Sequence, residues 1–530
     1  MTATPTVLPS PATSPHMTDA ADLVLLDGEV HTLCDPDETH EAIAVRDGRI
    51  VRLGKSYDVQ FLVGTETETV DLGGDVVLPG FVDAHTHLDM VGRSLVHADL
   101  AGAAGPDDCV NRLRERAAEL GGDDADEWVL GYGYDESAWA ESRYLTREDL
   151  DAVSTDRPVA AFREDMHVAS LNSVALDRHL PEMPDGDVRY DGDDPTGVVV
   201  EEAVDAVYEA VEPDRAETEE LLRAAQAAAN ERGVTGVHDM TRNSAKPGVY
   251  RDLDRRGDLT LRVRINYWAD HLDSVVDAGL RTNHGSEMVR TGAIKTFTDG
   301  SFGGRTAKLS EPYADDPSET GSWVVDPDEL SDVVSRADAH GLQLSAHAIG
   351  DEAVRAVLDA YEDCDSPGES RHRVEHAELA DDEAIRRFAE SGVVASVQPN
   401  FLKWAGEGGL YDSRLGDRRT ETNRYAAFAE AGVPLAFGSD CMPLDPLLGV
   451  HHAVNAPEPE QRLGVTEALR AYTAGAAYAG FDEDRLGTIE AGKAADLTVL
   501  AESPWEADSI RDIDVSATVV AGDVVYERDA

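Results

Sequence analysis

The sequence predicts an α/β fold, namely a (β/α)8 TIM-like barrel with a small β-sandwich domain formed by both chain ends. In the long middle of the chain, short apolar strands alternate with helical stretches, which is typical of repeated βα units around a parallel sheet. Both ends instead alternate apolar and polar residues, as half-buried strands do. At 530 residues, the chain is too long for one small core, and a barrel with a satellite domain accounts for its length.

The two chain ends predict the strands of the β-sandwich. The N-terminal stretches contain Asp27-Gly28 and Asp47-Gly48, dipeptides that favour hairpin turns. The C-terminal stretches have the same pattern and a break at Gly522-Asp523. We therefore expect one β-domain built from both ends, with the barrel inserted between them. The strand-like stretches are residues 21–32, 41–53, 496–500 and 517–527.

These patterns divide the chain into four segments. The first residues are rich in Pro, Thr and Ser and lack the basic start and apolar core of a signal peptide, so we expect a disordered extension there. The segments are residues 1–19 (N-terminal extension), 20–76 (first part of the β-sandwich), 77–484 (barrel, with an insertion at about 105–200) and 485–530 (second part of the β-sandwich).

The barrel region supplies strands and helices in alternation. After a first strand that ends at His87, the chain breaks this rhythm for about 95 residues rich in Gly, Asp and aromatics, which we interpret as an elaboration over the active-site mouth. The further strands are predicted at residues 234–240, 263–268, 292–298, 342–346, 372–375, 393–398 and 435–438, and the helices at 217–232, 326–340, 381–391 and 423–431.

The charge balance is extreme. There are 105 acidic residues and 46 Lys and Arg, which gives a net charge of −59 spread through every segment. Such a surface argues against nucleic acid and anionic membrane as partners. The composition resembles that of cytosolic proteins from salt-accumulating halophiles, in which ~1 M salt shortens the Debye length to about 3 Å and screens the self-repulsion. We therefore expect a fold that requires salt.

The cysteines and the hydropathy indicate a cytoplasmic protein. Four scattered cysteines without a CxxC pair argue against a disulfide framework and a cysteine zinc site. No apolar run approaches the ~20 residues of a membrane helix. The sequence leaves a homodimer open, because it does not fix the oligomeric state.

The first candidate for metal binding is the pair His85 and His87 at the end of the first barrel strand. Because side chains alternate along a strand, two histidines separated by one residue point the same way and can hold one metal ion. An isolated pair of this kind is more often a pair of surface or polar-core histidines, so the rest of the chain has to support the metal.

Further polar residues lie in or directly after predicted strands. Catalytic residues of a barrel are found at the C-terminal ends of its strands. Each residue could also be structural, as a hydrogen-bonded core histidine, a helix cap or a buried ion pair. Because several such residues each lie in or at the end of a predicted strand, coincidence is a poor explanation for the whole set. The residues are Lys295, inside an apolar strand where a lone charge is costly, and His347, His376 and Asp440, each closing a strand.

With this ligand order and several longer motifs, the chain resembles the amidohydrolase superfamily of metal-dependent hydrolases, and within it the YtcJ-like branch, which includes N-substituted formamide deformylase. The resemblance runs from about Ala21 to the C-terminus. The motifs are Gly131-Tyr132-Gly133-Tyr134-Asp135 with Trp139, Met166-His167 with Leu171-Asn172-Ser173, residues 295–307, His347-Ala348-Ile349-Gly350-Asp351, residues 373–376, Ser396-Val397-Gln398-Pro399 and residues 485–497.

The resemblance implies a divalent metal, with zinc as the first expectation, at one or two ions per chain. His85 and His87 would hold one ion, and His347 and His376 a second. Lys295 would bridge them if it is carboxylated, because a carbamate offers anionic oxygens and an ammonium does not. As the catalytic residue, Asp440 would contact metal and water, take a proton from the water and deliver it to the leaving nitrogen.

The resemblance also suggests residues that contact a small-molecule substrate. Each has a structural alternative. His167 could lie on the surface, the aromatic residues could form a core of the insertion, and Asp299 and Arg305 could only shape the turn after the Lys295 strand. The residues are His167, Tyr134, Asp135, Trp139, Asp299 and Arg305.

We therefore predict a metal-dependent amidohydrolase that hydrolyses a C–N bond of a small amide or formamide-like molecule. The alternatives are a deaminase of the same superfamily with one metal ion and an unmodified Lys295, and a non-catalytic relative that keeps the barrel as a scaffold. Retention of the full ligand set argues against the scaffold. The substrate itself depends on loops that the fold does not determine.

Overall fold

The structure is a computed structural model that describes residues 20–121, 125–136, 139–164, 166, 168–242 and 245–529. The predicted N-terminal extension, residues 1–19, and His167 lie outside the described residues. Within these ranges the chain forms 24 β-strands and 17 α-helices. None of the helices in the described ranges is long and apolar enough to cross a membrane.

The strands are numbered here in chain order. They are β1 Leu23–Leu26, β2 Glu29–His31, β3 Thr39–His40, β4 Ala42–Arg46, β5 Arg49–Gly54, β6 Glu68–Asp71, β7 Val76–Pro79, β8 Phe81–Thr86, β9 Ala98–Asp99, β10 Val129–Tyr134, β11 Val159–Arg163, β12 Val168–Leu171, β13 Val188–Asp191, β14 Asp194–Val200, β15 Val234–Thr241, β16 Arg262–Trp268, β17 Val289–Phe297, β18 Gln343–Ala348, β19 Arg373–His376, β20 Val394–Val397, β21 Leu435–Phe437, β22 Leu497–Leu500, β23 Val515–Val520 and β24 Asp523–Glu527.

The helices are numbered in the same way. They are α1 Ser56–Val59, α2 Leu88–Val96, α3 Pro106–Leu120, α4 Arg147–Asp151, α5 Ser173–His179, α6 Glu202–Ala210, α7 Arg215–Glu231, α8 Lys246–Arg256, α9 Leu272–Asp277, α10 Pro327–Ala339, α11 Asp351–Glu362, α12 Asp382–Ser391, α13 Leu410–Leu415, α14 Tyr425–Glu430, α15 Pro446–Val454, α16 Val465–Arg470 and α17 Ala476–Ala479.

The predicted barrel is present. Eight strands form one sheet in the order β8, β15, β16, β17, β18, β19, β20, β21, and every pairing between neighbours is parallel. All residues of β18, β19 and β20 are buried, because helices cover the outside of the sheet and side chains fill the inside. Leu344 and Val374 of the sheet pack with Val354 and Leu358 of α11 in one large apolar cluster.

The first and last strands approach each other and nearly close the barrel. The Asp440 N–H donates a hydrogen bond to the carbonyl oxygen of His85 at 2.7 Å. A Cβ atom at Gly438 would lie 2.4 Å from the His85 nitrogen, so only glycine permits this approach. The Asp83 carboxylate accepts hydrogen bonds from the N–H groups of His85 and Ser439, both at 3.0 Å. The seam therefore holds the end of β8 against the residues that follow β21.

Between β8 and β15 the chain builds a second sheet, where the sequence predicted an insertion. Its six strands lie in the order β13, β14, β12, β11, β10, β9. Apolar side chains pack on both of its faces, with Leu130, Phe162 and Leu171 in one cluster and Leu113 and Val159 in the other. The insertion therefore has an apolar interior of its own.

Two further sheets combine the chain ends. One has the order β5, β4, β1, β6, and the other has the order β24, β23, β22, β7, β2, β3. Leu25, Ile43, Val77 and Leu497 belong to one apolar cluster that the two sheets share. The larger sheet also contacts the barrel, because Leu78 of β7 packs in the barrel cluster. Whether these sheets are a separate β-sandwich domain therefore stays a prediction.

One predicted turn is wrong and another is confirmed. Asp27-Gly28 does not close a hairpin, because β1 pairs with β4 and β6 while β2 pairs with β3 and β7 in the other sheet. Asp47-Gly48 joins the antiparallel pair β4 and β5, with φ angles of 51° and 69°. The φ of Asp27 is also positive, at 58°. The dipeptide thus predicts the local bend correctly but does not determine which strand the chain pairs with afterwards.

Candidate active site

The predicted metal ligands lie at one end of the barrel. His85 is on β8, Lys295 on β17, His347 on β18 and His376 at the end of β19. His87 directly follows β8, whereas Asp440 does not close β21 as predicted but lies in the turn beyond Phe437, the last residue of that strand. Because all eight strands are parallel, their C-terminal ends form one rim. Residues separated by hundreds of positions in the chain are therefore neighbours.

The closest group consists of His85, His87 and Asp440. The Nε2 atoms of His85 and His87 lie 3.5 and 3.4 Å from Oδ1 of Asp440. One potential ligand atom from each residue lies within 4.8 Å of the other two. Asp440 has a φ of 53°, a left-handed conformation that turns the chain at the barrel seam. Three nitrogen and oxygen donors in this arrangement suit a divalent cation.

His347 and His376 extend the same cluster. The ring centroid of His376 lies 5.0 Å from that of His85 and 4.4 Å from that of His347. The Nε2 atom of His347 lies 3.0 Å from the carbonyl oxygen of Gly300, so the rim backbone orients this ring. His376 stacks parallel to Phe401 at 5.9 Å. The four histidines thus form one continuous group.

Lys295 is fully buried beside this group. Its Nζ has no hydrogen-bond partner and lies 4.9 Å from the ring centroid of Phe297. Burial lowers the pKa of Lys295 to about 8, against the opposing negative charges of Glu375 and Asp440. A lysine in this environment is unusually rich in the neutral amine, which is the form that reacts with carbon dioxide.

The protonation states and the unpartnered atoms fit a cation. Burial lowers the pKa of His87 to about 3 and lowers the pKa values of His85, His347 and His376 well below the ordinary value. These imidazoles are therefore neutral, as metal ligands must be. Nε2 of His85 and Nδ1 of His376 are buried without a hydrogen-bond partner, which costs free energy unless something binds them.

Residues 68–526 match the model of the Amidohydrolase family. The chain belongs to this family. Together with relatives that are named as amidohydrolase and deformylase and a metal-dependent hydrolase of similar structure, the membership makes the protein a metal-dependent amidohydrolase, a hydrolase that acts on carbon–nitrogen bonds.

Individual relatives of this amidohydrolase cover nearly its whole length. The Bacillus subtilis (strain 168) protein "Putative amidohydrolase YtcJ" is 33% identical over 94% of this chain and 98% of its own. N-substituted formamide deformylase of Arthrobacter pascens is 28% identical over 97% and 99%. The crystal structure of an uncharacterised metal-dependent hydrolase from Pyrococcus furiosus superposes with a TM-score of 0.77 at 31% identity and covers 91% of this chain and all of its own.

The amidohydrolase contains a buried network that the sequence reasoning missed. Glu375 on β19 holds Nδ1 of His85 at 2.7 Å and also accepts hydrogen bonds from Ser345 Oγ at 2.6 Å and Arg373 Nε at 2.5 Å. Glu375 and Arg373 are almost fully buried. The network fixes the ring of His85 so that Nε2 faces Asp440. In the sequence, this network is indicated by two charged residues, Arg373 and Glu375, at alternate positions of a predicted strand.

The structure does not bring the predicted aromatic residues into the histidine cluster. Tyr134 and Trp139 stack on each other at 5.7 Å and are buried in an apolar cluster of the insertion. The Tyr134 hydroxyl lies 3.1 Å from Ser170 Oγ, and the Trp139 indole donates to the carbonyl oxygen of Ala103 at 2.8 Å. Asp135 forms an ion pair with Arg163 at 3.3 Å. Their contact with substrate stays a prediction.

The two predicted residues beyond β17 differ in environment. Asp299 is buried 3.6 Å from Nε2 of His347, and its carboxylate accepts hydrogen bonds from three backbone N–H groups. Burial raises the pKa of Asp299 to about 7. Arg305 is paired with Asp315 at 2.8 Å on the outer part of the same loop. Asp299 therefore shapes the loop that orients His347, and a substrate contact of either residue stays a prediction.

Proposed function

We propose that this amidohydrolase hydrolyses the carbon–nitrogen bond of a small amide or formamide-like substrate at the histidine cluster. The observation that carries the proposal is the convergence of His85, His87 and Asp440 on one point, where the buried Nε2 of His85 has no hydrogen-bond partner. The similarity to N-substituted formamide deformylase supports N-substituted formamides as the first compounds to screen.

Each residue has a definite role in this proposal. A divalent ion, when bound, supplies Lewis-acid chemistry that acidifies water and polarises the substrate carbonyl. His85 and His87 hold the ion, and the Glu375 network keeps the His85 ring in place. Asp440 takes the proton of the attacking water and then delivers it to the leaving nitrogen. Burial raises the pKa of Asp440 to about 7, which suits a group that both accepts and donates a proton near neutral pH.

We propose that the site would hold two ions: His85 and His87 would bind one, His347 and His376 the second, and a carboxylated Lys295 would supply oxygen ligands. The support is the position of Lys295, which is fully buried, has no hydrogen-bond partner and acts electrostatically on all four histidines. Addition of carbon dioxide to the neutral amine, with loss of one proton, converts a poor ligand into an anionic one that offers two oxygens.

Elemental analysis of Lys295→Met tests this arrangement. In molar KCl without chelator, we expect about two divalent ions per wild-type chain and about one in the variant. Because methionine replaces a buried amine that has no partner, the metal-free variant is also expected to melt at a higher temperature than the metal-free wild type.

A matched control is Lys308→Met, at a partly exposed lysine of the same rim that lies 3.9 Å from Glu352 and should keep both ions. One ion in all three proteins would contradict the bridged site and favour the mononuclear deaminase. No metal after reconstitution would favour the non-catalytic scaffold.

We also propose the finer assignments that the sequence suggested. Zinc suits an imidazole-rich site with one carboxylate. A cytoplasmic location suits four cysteines that are all free. The division into a barrel, residues 77–484, and a two-part β-sandwich, residues 20–76 and 485–530, suits the apolar cluster that the two end sheets share. Its first boundary moves to Pro79, because β7, Val76–Pro79, pairs with β2 and β22 of an end sheet.

We expect the fold to require salt, because the chain carries a net charge of −59. Raising KCl from low to molar concentration screens this repulsion, so the melting temperature should rise. Circular dichroism melts at matched pH measure the effect. KCl and potassium acetate should act alike if screening is the cause, and a melting temperature that does not change with KCl would refute the requirement.

A further inference from the structure

Two aromatic side chains line one side of the barrel mouth beside the histidine cluster. They are Trp268 and Phe297, here called the aromatic shelf, which end β16 and β17 and are both partly exposed. Their ring centroids lie 5.1 Å apart. The ring centroid of Trp268 lies 6.4 Å from that of His87. The ring centroid of Phe297 lies 4.5 Å from that of His347. The aromatic shelf therefore runs alongside the proposed metal ligands and offers an apolar surface to the part of a substrate next to its reacting carbonyl.

Arg242 follows the neighbouring strand and reaches over the aromatic shelf. Strand β15 ends at Thr241, which lies opposite Tyr267 of β16, so the next residue, Arg242, comes beside Trp268. The guanidinium carbon Cζ of Arg242 lies 5.7 Å from the ring centroid of Trp268. A ring nitrogen of His271, Nε2, lies 3.0 Å from the carbonyl oxygen of Arg242 and holds the backbone there. The guanidinium is therefore placed at the mouth of the barrel.

The Arg242 side chain is available to a ligand. It is exposed and forms no hydrogen bond or ion pair with any residue in the described ranges. This is notable in a chain with 105 acids and 46 Lys and Arg, where four other cations in loops after the barrel strands each have a carboxylate partner. Arg242 thus keeps its five N–H donors for a bound molecule. The paired cations are Lys246, Arg305, Lys308 and Lys403.

We propose that the substrate carries a carboxylate, which Arg242 binds while the amide carbonyl lies at the histidine cluster. The inference rests on the proposed function and adds a substrate class to it: N-formyl or other N-acyl amino acids rather than neutral amides. A guanidinium matches the two oxygens of a carboxylate and forms charge-assisted hydrogen bonds with them. Most of a surface with net charge −59 repels an anionic substrate, so a cation at the mouth is what would hold it.

The aromatic shelf sets the length of such a substrate. Trp268 separates the Arg242 guanidinium from the His87 ring, at 5.7 Å from the first and 6.4 Å from the second. The carboxylate and the reacting carbonyl are therefore joined by a short linker that contacts the Trp268 ring. Because both ends of the molecule are held, affinity should depend on the length of this linker.

Isothermal titration calorimetry on the metal-loaded Asp440→Asn variant tests binding without turnover. The probes are N-formyl amino acids from N-formylglycine to N-formylaminohexanoate, each compared with the N-formylalkylamine of equal length that lacks the carboxylate. We expect the acids to bind more tightly than their neutral partners, with the tightest binding at one chain length. Adding Arg242→Gln should weaken binding of the best acid on the order of 30-fold and leave its neutral partner unaffected. The lowest KCl concentration that keeps the protein folded minimises screening.

Two further variants in the same background are the controls. Arg242→Lys keeps the charge but not the planar fork, so its affinity for the best acid should lie between that of its parent and that of Arg242→Gln. Arg281→Gln removes an exposed arginine that precedes β17, at the opposite end of the barrel, and should bind the acid as tightly as its parent.

Kinetics of the same compounds with Asp440 intact distinguish this inference from the proposed function. Binding that depends on Arg242 without any hydrolysis would support the carboxylate site and refute hydrolysis of N-formyl compounds. Two results would overturn the carboxylate site and leave amide hydrolysis standing: acids that bind no more tightly than their neutral partners at any length, and an Arg242→Gln variant that binds the best acid as well as its parent.

Discussion

Asp440→Asn is expected to lower kcat for amide hydrolysis by about 10³-fold while metal stays bound. Asparagine keeps the shape of the side chain and an oxygen toward His85 and His87, which lie 3.5 and 3.4 Å from Oδ1. It cannot accept a proton from water or return one to the leaving nitrogen. Steady-state kinetics on a substrate found by screening amides and formamides, together with metal analysis of the same preparation, separate lost proton transfer from lost metal.

The neighbouring Cys441→Ser serves as the control. Cys441 shares the left-handed turn after β21 but contributes no atom to the group of His85, His87 and Asp440. The activity of the Cys441→Ser variant should therefore stay near that of the wild type. If Asp440→Asn retains kcat within about threefold of wild type, general acid–base catalysis by this carboxylate is excluded.

Glu375→Ala is expected to lower the free energy of unfolding by about 3–5 kcal/mol. The change leaves the buried guanidinium of Arg373 without its carboxylate partner and removes the acceptor for Nδ1 of His85. Unfolding by guanidinium chloride at constant ionic strength, followed by tryptophan fluorescence, measures the loss of stability. Because the His85 ring is no longer held, the affinity for metal should also fall, by about 10–100-fold.

Glu383→Ala provides the comparison for this loss. Glu383 lies on α12 with an exposed ion pair to Arg386, so its removal should cost less than about 1 kcal/mol. The free energy of unfolding of Glu375→Gln should fall between those of Glu375→Ala and Glu383→Ala, because glutamine keeps hydrogen bonds but not the charge. Equal stability of Glu375→Ala and Glu383→Ala would mean that the network does not contribute to folding in the way its geometry implies.

The barrel could be predicted because its signals are local. Strand β20, for example, is apolar except for Ser396, is buried throughout and ends where Gln398 begins. The order of histidines, lysine and aspartate along the chain was visible for the same reason. Parallel strands then bring their ends together without any further information from the sequence.

The features that escaped prediction depend on partners far away in the chain. Glu375 acquires its role from His85, 290 positions earlier, so nothing next to it in the sequence reveals that role. The turn at Asp27-Gly28 has hairpin chemistry, yet the next strand joins another sheet. Tyr134 and Trp139 pack in the interior of the insertion, the structural alternative that the sequence had left open beside a contact with substrate.

The seam between β8 and the end of β21 has a consequence for protein synthesis. Asp83 and Ser439, which hydrogen-bond across the seam, are 356 positions apart, and Asp440 reaches His85 only there. A ribosome must therefore complete most of the polypeptide before the three closest ligands can meet. A truncated nascent chain carries His85 and His87 without Asp440, so the metal site that we propose would form late, once the barrel is finished.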